Sequence, residues 1–292
     1  MRSTPIIDMF SGTGQLAAAV SAGLAEPTLP VSFSDTYRPA RKYLRKRFPD
    51  ARIAQDFRHQ DVPRGSIVTI GAPRQDLSVA GKHAGAERRS GTRSSLIHEA
   101  LDKAVAGGAD LIVAENVPGG YRTYLSLANW LAEKHSYRAT VSSAGAWEVG
   151  APHRRERIML VAARKHFEPR RVNVIRQVAP ADLLPTPTAS SATGPGRSGR
   201  RGGANLQTRI HEGNDPDPAL TTTWARVVGE FRPPLKDAEG RLNAAFAEWL
   251  MGLPPAADLS RTARVRLAGN AVVGLQARLM LQRGLTATED AR

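Results

Sequence analysis

The sequence contains no cysteine. Disulfides, thiolate metal sites and thiol nucleophiles are therefore excluded. No apolar run approaches the roughly 18 residues of a membrane span, and no apolar signal core follows Met1-Arg2-Ser3-Thr4-Pro5. The expectation is a cytoplasmic protein with no membrane contact and no metal. No internal repeat is visible. Acidic residues are few beside basic ones: 27 Asp plus Glu face 41 Lys plus Arg, a net charge of +14. An imbalance of that size favours a polyanionic partner, although an arginine-rich proteome would produce it too. Hydrophobic residues make up 41% of the 292, enough for the core of one large domain or one and a half.

Short β-branched runs alternate with helical stretches through the first half. Strands are expected at Pro5–Phe10, Val31–Asp35, Ser66–Gly71 and Leu111–Val117, with Tyr137–Ser143 and Arg157–Ala163 as a closing pair. Helices are expected at Gln15–Leu24, Arg38–Arg47, Ser94–Val105 and Tyr121–Lys134. Alternation of this kind predicts an α/β fold with a mostly parallel sheet covered on both faces. Ligands of such sheets sit in the turns at the carboxyl ends of the strands. Composition changes after Arg164. Ala181–Gly203 is rich in Pro, Gly, Ser, Thr and Arg and reads either as a linker or as a basic arm ordered by a partner. Helical spacing returns at Arg241–Leu253, and a last helix is expected near Ala271–Leu285.

The sharpest early signal is Asp8-Met9-Phe10-Ser11-Gly12-Thr13-Gly14, a strand ending in a glycine turn that opens a helix. Glycine lets backbone approach a ligand, and the helix start offers N–H donors. The third glycine of the dinucleotide fingerprint is missing. Asp35 ends the second strand, where an acid can accept from ribose hydroxyls or cap the next helix. Asp56 follows a third apolar stretch and is placed to accept from an adenine amine or to be a plain surface acid.

Five segments then occur in order: Asp8–Gly14, Gly71-Ala72-Pro73-Arg74-Gln75-Asp76-Leu77-Ser78, Glu115-Asn116-Val117, His153-Arg154-Arg155-Glu156-Arg157 and Gly269-Asn270-Ala271-Val272. Their order and spacing resemble the cytosine-5 DNA methyltransferases. Arg241–Pro254 is similar to the element that orients the target-recognition region of that family, and Leu184-Pro185-Thr186-Pro187-Thr188 and Gly203-Ala204-Asn205-Leu206 resemble phage-borne members. The resemblance implies a Rossmann-like S-adenosylmethionine-dependent methyltransferase fold with a small, irregular target-recognition domain. Residues 1–165 would form the cofactor-binding and catalytic domain, 166–240 the target-recognition region, and 241–292 a segment returning to the first. Phe10, Ser11, Gly12, Gly14, Asp35, Asp56 and Asn270 would serve S-adenosylmethionine; Thr36 departs from the bulky apolar residue usual beside the adenine. Double-stranded DNA would be the partner of a monomer working in a bacterial or phage-infected cell, in a restriction-modification setting, with the target base flipped out. A loop over Gln75–Arg93 would close on it, with Gln75, Ser78, Lys82, Arg88, Arg89 and Arg93 near DNA, as would His153, Arg200 and Arg201. The loop cations read equally as a solvated charged surface, and His153 as a residue outside the contact.

By the same resemblance, a thiolate adds to carbon 6 of cytosine and an acid engages ring nitrogen 3, here Glu115. Two arginines support the base, here Arg155 and Arg157, whose alternate spacing on a strand would place them on one face. The nucleophile position, between Pro73 and Gln75, holds Arg74. Arginine stays protonated and offers no lone pair. Ordinary methylation should be lost or very weak. The open alternatives are a non-catalytic DNA-binding relative, an altered reaction on a flipped base such as deamination or modification with a different cofactor, and a nucleophile supplied by another chain. Exocyclic-amine methylation is disfavoured, because no Asp/Asn/Ser-Pro-Pro-Tyr/Phe motif is present.

Overall fold

A computed structural model describes residues 3–73, 95–174, 183–192, 206–211 and 218–290. The chain divides into two compact units: Met1–Ala144 with Glu156–Val174 and Ala277–Arg292, and Gly145–Arg155 with Ile175–Gln276. The chain leaves the first unit at Gly145, ahead of the compositional change, and rejoins it for good only at Ala277.

The first unit is built on a seven-stranded sheet of order β3-β2-β1-β4-β5-β7-β6. The strands are β1 (Thr4–Met9), β2 (Thr28–Ser34), β3 (Arg52–Ala54), β4 (Ile67–Ile70), β5 (Leu111–Asn116), β6 (Tyr137–Gly145) and β7 (Glu156–Arg164). Its helices are α1 (Gln15–Gly23), α2 (Arg38–Arg47), α3 (Ser95–Gly107) and α4 (Tyr121–His135). β1 to β5 pair in parallel, and β7 runs antiparallel to β5. β4 and β5 are buried along their whole length, which is why they read as unbroken apolar runs rather than alternating ones. Between Ile6 and Ile7 the register with β2 slips by one residue, at Pro30. Proline has no N–H for the ladder, and the bulge absorbs the loss.

One sheet face carries the main core. Ile7 and Met9 of β1, Val68 and Ile70 of β4, and Ile112 of β5 pack there with Leu101 of α3 and Leu127 and Leu131 of α4. Each such side chain contributes roughly 1.5–3 kcal/mol by leaving water. The opposite face meets the C-terminal helix, in which Gly284 sits so close to β7 that a Cβ there would lie 2.4 Å from Val161 Cγ2.

The second unit is helical among its described residues. It holds a 3-10 turn at Ala189–Ala192, then α5 (Leu206–His211), α6 (Pro218–Val228), α7 (Ala244–Leu250) and α8 (Arg261–Asn270); α9 (Gly274–Asp290) begins here and continues into the first unit. Asn243 and Ser260 cap α7 and α8 by accepting from Ala245 N and Ala263 N. Trp224 of α6 is buried and donates its indole N–H to Trp249 O at 2.8 Å. Buried Glu248 takes a two-pronged ion pair from Arg264, at 2.9 and 2.6 Å. Among the described residues, no helix is long and apolar enough to cross a membrane.

Candidate active site

The carboxyl ends of β2, β1, β4 and β5 lie side by side on one edge of the sheet. Asp35, the Phe10–Gly14 turn, Gly71–Pro73 and Glu115 therefore form a row. At about 4.8 Å per strand it spans roughly 14 Å.

The turn after β1 is held from several sides. Phe10, Gly12 and Gly14 all have positive φ, at 56°, 53° and 69°. That region is costly for phenylalanine, so the conformation must be imposed by neighbours. Ser11 supplies part of the constraint: its N–H donates to Ser34 O at 2.8 Å, and its hydroxyl donates to Asp8 O while accepting from Ser34 N. β4 supplies more. Gly71 N donates to Met9 O, and a Cβ on Gly71 would lie 2.9 Å from Phe10 O, so only glycine allows that approach. Asp35 accepts from Gly12 N at 2.8 Å and from Tyr37 N at 2.7 Å. Its carboxylate thus ties the tip of β2 to the glycine turn, and the N-cap of α2 is Tyr37. Phe10 also meets Phe57, with ring centroids 4.8 Å apart.

Arg47, at the end of α2, escaped the reading from sequence. Its guanidinium donates to Thr13 O at 2.9 Å and to Gln15 Oε1 at 2.6 Å, bracing the glycine turn from behind. In sequence it is one cation in a run of them, and nothing in the spacing separates it from exposed Arg45. Beneath the turn lies Asp8, 1% exposed. Thr69 donates to its Oδ1, and its Oδ2 has no hydrogen-bond partner among the described residues. Burial pushes the Asp8 carboxyl up to about 7, against the opposing hydrogen bond from Thr69.

Asp56 caps the turn Phe57–His59 through Arg58 N and pairs with the Arg58 guanidinium at 3.0 Å. Desolvation opposes ionisation there, but the bonds from Arg58 prevail and hold the carboxyl below its usual range. Arg58 also grips Glu99 of α3 with two bonds, at 2.5 and 2.7 Å.

Glu115 is the penultimate residue of β5 and is 8% exposed. Arg157 of β7, 5% exposed, places Nε 2.7 Å from Glu115 Oε1. The strand pairing explains this meeting, because Glu115 and Met159 are opposed in the antiparallel β5–β7 ladder. Asn116 donates to Ala72 O at 3.5 Å and to Tyr124 Oη at 3.1 Å, while Tyr124 donates to Glu115 O. The Glu-Asn pair is thereby fixed to the exit of β4, next to Pro73. Burial raises the Tyr124 phenol well above its ordinary range, so it stays a neutral donor.

Arg155 does not share a strand face with Arg157, because β7 starts at Glu156. It belongs to the second unit, where it is 1% exposed and donates to Pro187 O, Gly269 O and Ala271 O. Its own carbonyl accepts from Gln276 Nε2 at 2.6 Å. His153 is fully buried in that unit, with Nε2 2.9 Å from Leu250 O. Asn270 ends α8 there and is exposed. Arg74, Gln75, Ser78, Lys82, Arg88, Arg89, Arg93, Arg200 and Arg201 lie outside the described residues.

A largely parallel sheet with a braced glycine turn after β1 and an acid at the tip of β2 is the Rossmann-like fold of S-adenosylmethionine-dependent methyltransferases. A methyltransferase of Entamoeba histolytica, EhMeth, superposes over 100% of both chains with a TM-score of 0.63 at 14% identity. Dnmt2 of S. pombe does so over 98% of this chain and 99% of its own, with a TM-score of 0.60 at 13% identity. By sequence, the type II methyltransferase M2.BsuMI of Bacillus subtilis is 27% identical over 294 residues, covering 91% of this chain and 72% of the relative. The family description "C-5 cytosine-specific DNA methylase" matches residues 4–194. The chain belongs to that family. Membership sets methyl transfer as its class of chemistry, S-adenosylmethionine as the general cofactor and DNA as the class of substrate.

Proposed function

We propose that this chain binds S-adenosylmethionine at the β1–α1 turn, holds a cytosine flipped from duplex DNA against Glu115, and transfers methyl groups very weakly because residue 74 is arginine. The observation that carries the reading is the Glu115–Arg157 pair at the tip of β5, fixed through Asn116 to the exit of β4. An acid held there beside a cation, in the same row as the glycine turn, suits a ring nitrogen brought to that edge.

The residues present fit the cofactor. A Cβ on Gly12 would meet nothing within 4 Å, so the turn has open space on its ligand side. No side chain caps α1, and its first turn carries no acid. Its opening N–H groups suit a carboxylate. Asp35 stands at the tip of β2 beside that turn, tied to it by the bond from Gly12 N, where an acid suits ribose hydroxyls. When bound, the cofactor supplies the electrophilic methyl group. Asp35 and Arg47 hold the turn, Glu115 engages the base, and Arg157 keeps Glu115 oriented. With no cysteine in the chain, no thiolate adds to carbon 6. Removing a nucleophile lowers turnover by roughly 10⁴- to 10⁶-fold. The motifs at 184–188 and 203–206 support a phage or restriction-modification setting, with duplex DNA met by a monomer in the bacterial cytoplasm.

The test is Arg74→Cys. Wild-type protein incubated with cofactor and duplex DNA should yield almost no 5-methylcytosine by mass spectrometry, and the variant should yield it measurably. A variant that binds both partners yet forms none overturns the proposal. A different altered nucleoside made by the wild type would instead mark a changed reaction at the same edge.

A further inference from the structure

Arg47 is held beside the glycine turn by neutral groups. It donates to Thr13 O at 2.9 Å and to Gln15 Oε1 at 2.6 Å, bonds the Tyr43 side chain, and lies with Cζ 5.2 Å from the centre of the Phe48 ring. Phe48 stacks on Phe33, and both rings close on Gly14, where a Cβ would lie 2.6 Å from Phe48 Cε2 and 3.0 Å from Phe33 Cε1. The guanidinium is thus fixed in an apolar corner beside the start of α1. Burial opposes its charge there, yet arginine stays protonated.

Other firmly held arginines of this unit meet acids. Arg157 pairs with Glu115, Arg58 with Asp56 and Glu99, and Arg171 with Glu289. Around the turn charges are few: α1, Gln-Leu-Ala-Ala-Ala-Val-Ser-Ala-Gly, holds none, and neither do β2 and β4, the neighbours of β1. Two acids stand close. Asp35 accepts from Gly12 N and Tyr37 N. Asp8 lies beneath the turn and acts on Arg47 through space, but burial keeps its carboxyl protonated below about pH 7. A desolvated cation costs free energy until a counter-charge meets it. The opening N–H groups of α1 add partial positive charge at the same turn.

We infer that Arg47 sets the specificity of the cofactor site, supplying the positive charge that selects a ligand with a carboxylate on its amino-acid end. The inference rests on the S-adenosylmethionine reading above and names the residue by which the turn tells one end of that molecule from a neutral or cationic substitute. Arg47 acts through the turn that it braces, as a positioning residue. In surroundings of low polarity a single charge changes affinity by about tenfold across several ångströms.

Calorimetry at pH 6 tests this by comparing S-adenosylmethionine with its decarboxylated form, which keeps the adenosine, the sulfonium and the amine. The wild type should favour the carboxylate-bearing ligand by about 100-fold. Arg47→Met should lower that ratio about tenfold, whereas Arg47→Lys, which keeps the charge, should retain most of it even where both affinities fall. Partial unfolding weakens both ligands alike and leaves the ratio untouched. If Arg47→Met does not fold, Gln15→Glu tests the same charge: it keeps an acceptor for Arg47 while neutralising it, an acid there suits the start of α1, and the ratio should again fall about tenfold. A ratio unchanged in these two variants, with both affinities lowered equally or not at all, overturns the inference and leaves Arg47 a brace. Equal binding of the two ligands by the wild type overturns it too. A wild type that binds neither overturns the cofactor reading as well.

Discussion

Replacing Asp8 by asparagine should change how the stability of the first unit depends on pH. Asp8 lies within β1 with 1% of its surface exposed, and its Oδ2 has no hydrogen-bond partner among the described residues. Its carboxyl titrates near 7 in the folded protein, against 3.8 without the fold. The folded value is the higher one, so the native state keeps a proton that the unfolded chain releases. Stability from that proton is complete below about pH 3.8 and has gone above about pH 7. At 1.36 kcal/mol per pH unit, the loss is about 4 kcal/mol over the whole interval and about 2.5 kcal/mol between pH 5 and 8. Asparagine still accepts from Thr69 but does not titrate. Its amide N–H₂ replaces the unpartnered oxygen at a roughly constant cost of about 1–3 kcal/mol. That constant offset cancels from the pH slope, which carries the prediction. Amide hydrogen exchange in β1 and β4, measured at pH 5, 6, 7 and 8, isolates this unit from the helical one. The variant should gain about 2.5 kcal/mol on the wild type over that range. Parallel profiles would refute the reasoning, because they would mean that Asp8 is ionised at pH 5.

Arg157→Met removes the partner of buried Glu115 and should cost about 3–5 kcal/mol by urea denaturation, with most of it regained when Glu115→Gln is added; a double variant no more stable than the single would show that the pair is not the cause. Gly269→Ala places a Cβ 2.3 Å from Ala189 N and Thr188 C, backbone atoms that cannot rotate away, and should destabilise the second unit by about 1–3 kcal/mol, read from the fluorescence of buried Trp224 and Trp249.

Much of the first unit could be read in the residues because its strands are either fully buried or end in distinctive turns. Arg38–Arg47 and the Leu111 start of β5 agree with the sequence-based bounds, and the other main elements differ by a few residues at their ends. β3, with three residues and a partly buried pattern, was legible only as the apolar stretch before Asp56 and not as a strand. In the second unit, α6 is rich in threonine and was missed; its helix is secured by burial of Trp224 and by Pro218 at its start, neither of which leaves a strong period. At the site, Glu115, Asp35 and the glycine turn were legible because each sits at a strand end. The partners that fix them were not, since they come from afar in sequence: Arg47 on the turn, Tyr124 behind Asn116, and Gly71 against Phe10. Alternation placed Arg155 beside Arg157, but the strand begins between them and Arg155 is spent on carbonyls of the other unit.

The sheet of the first unit interleaves early and late sequence. β7 pairs along β5, yet it is synthesised after the excursion Gly145–Arg155, and the helix lying over Val161 comes last, after the whole of 175–276. On the ribosome, β1 to β5 therefore emerge with one flank of β5 bare, and the final cover follows only after residues 175–276 have been made. Contacts so distant in sequence make closure slow and leave a sticky strand edge in the meantime. Emergence of the helix that begins at Gly274, rather than the appearance of the glycine turn, is the moment at which this unit can first become complete.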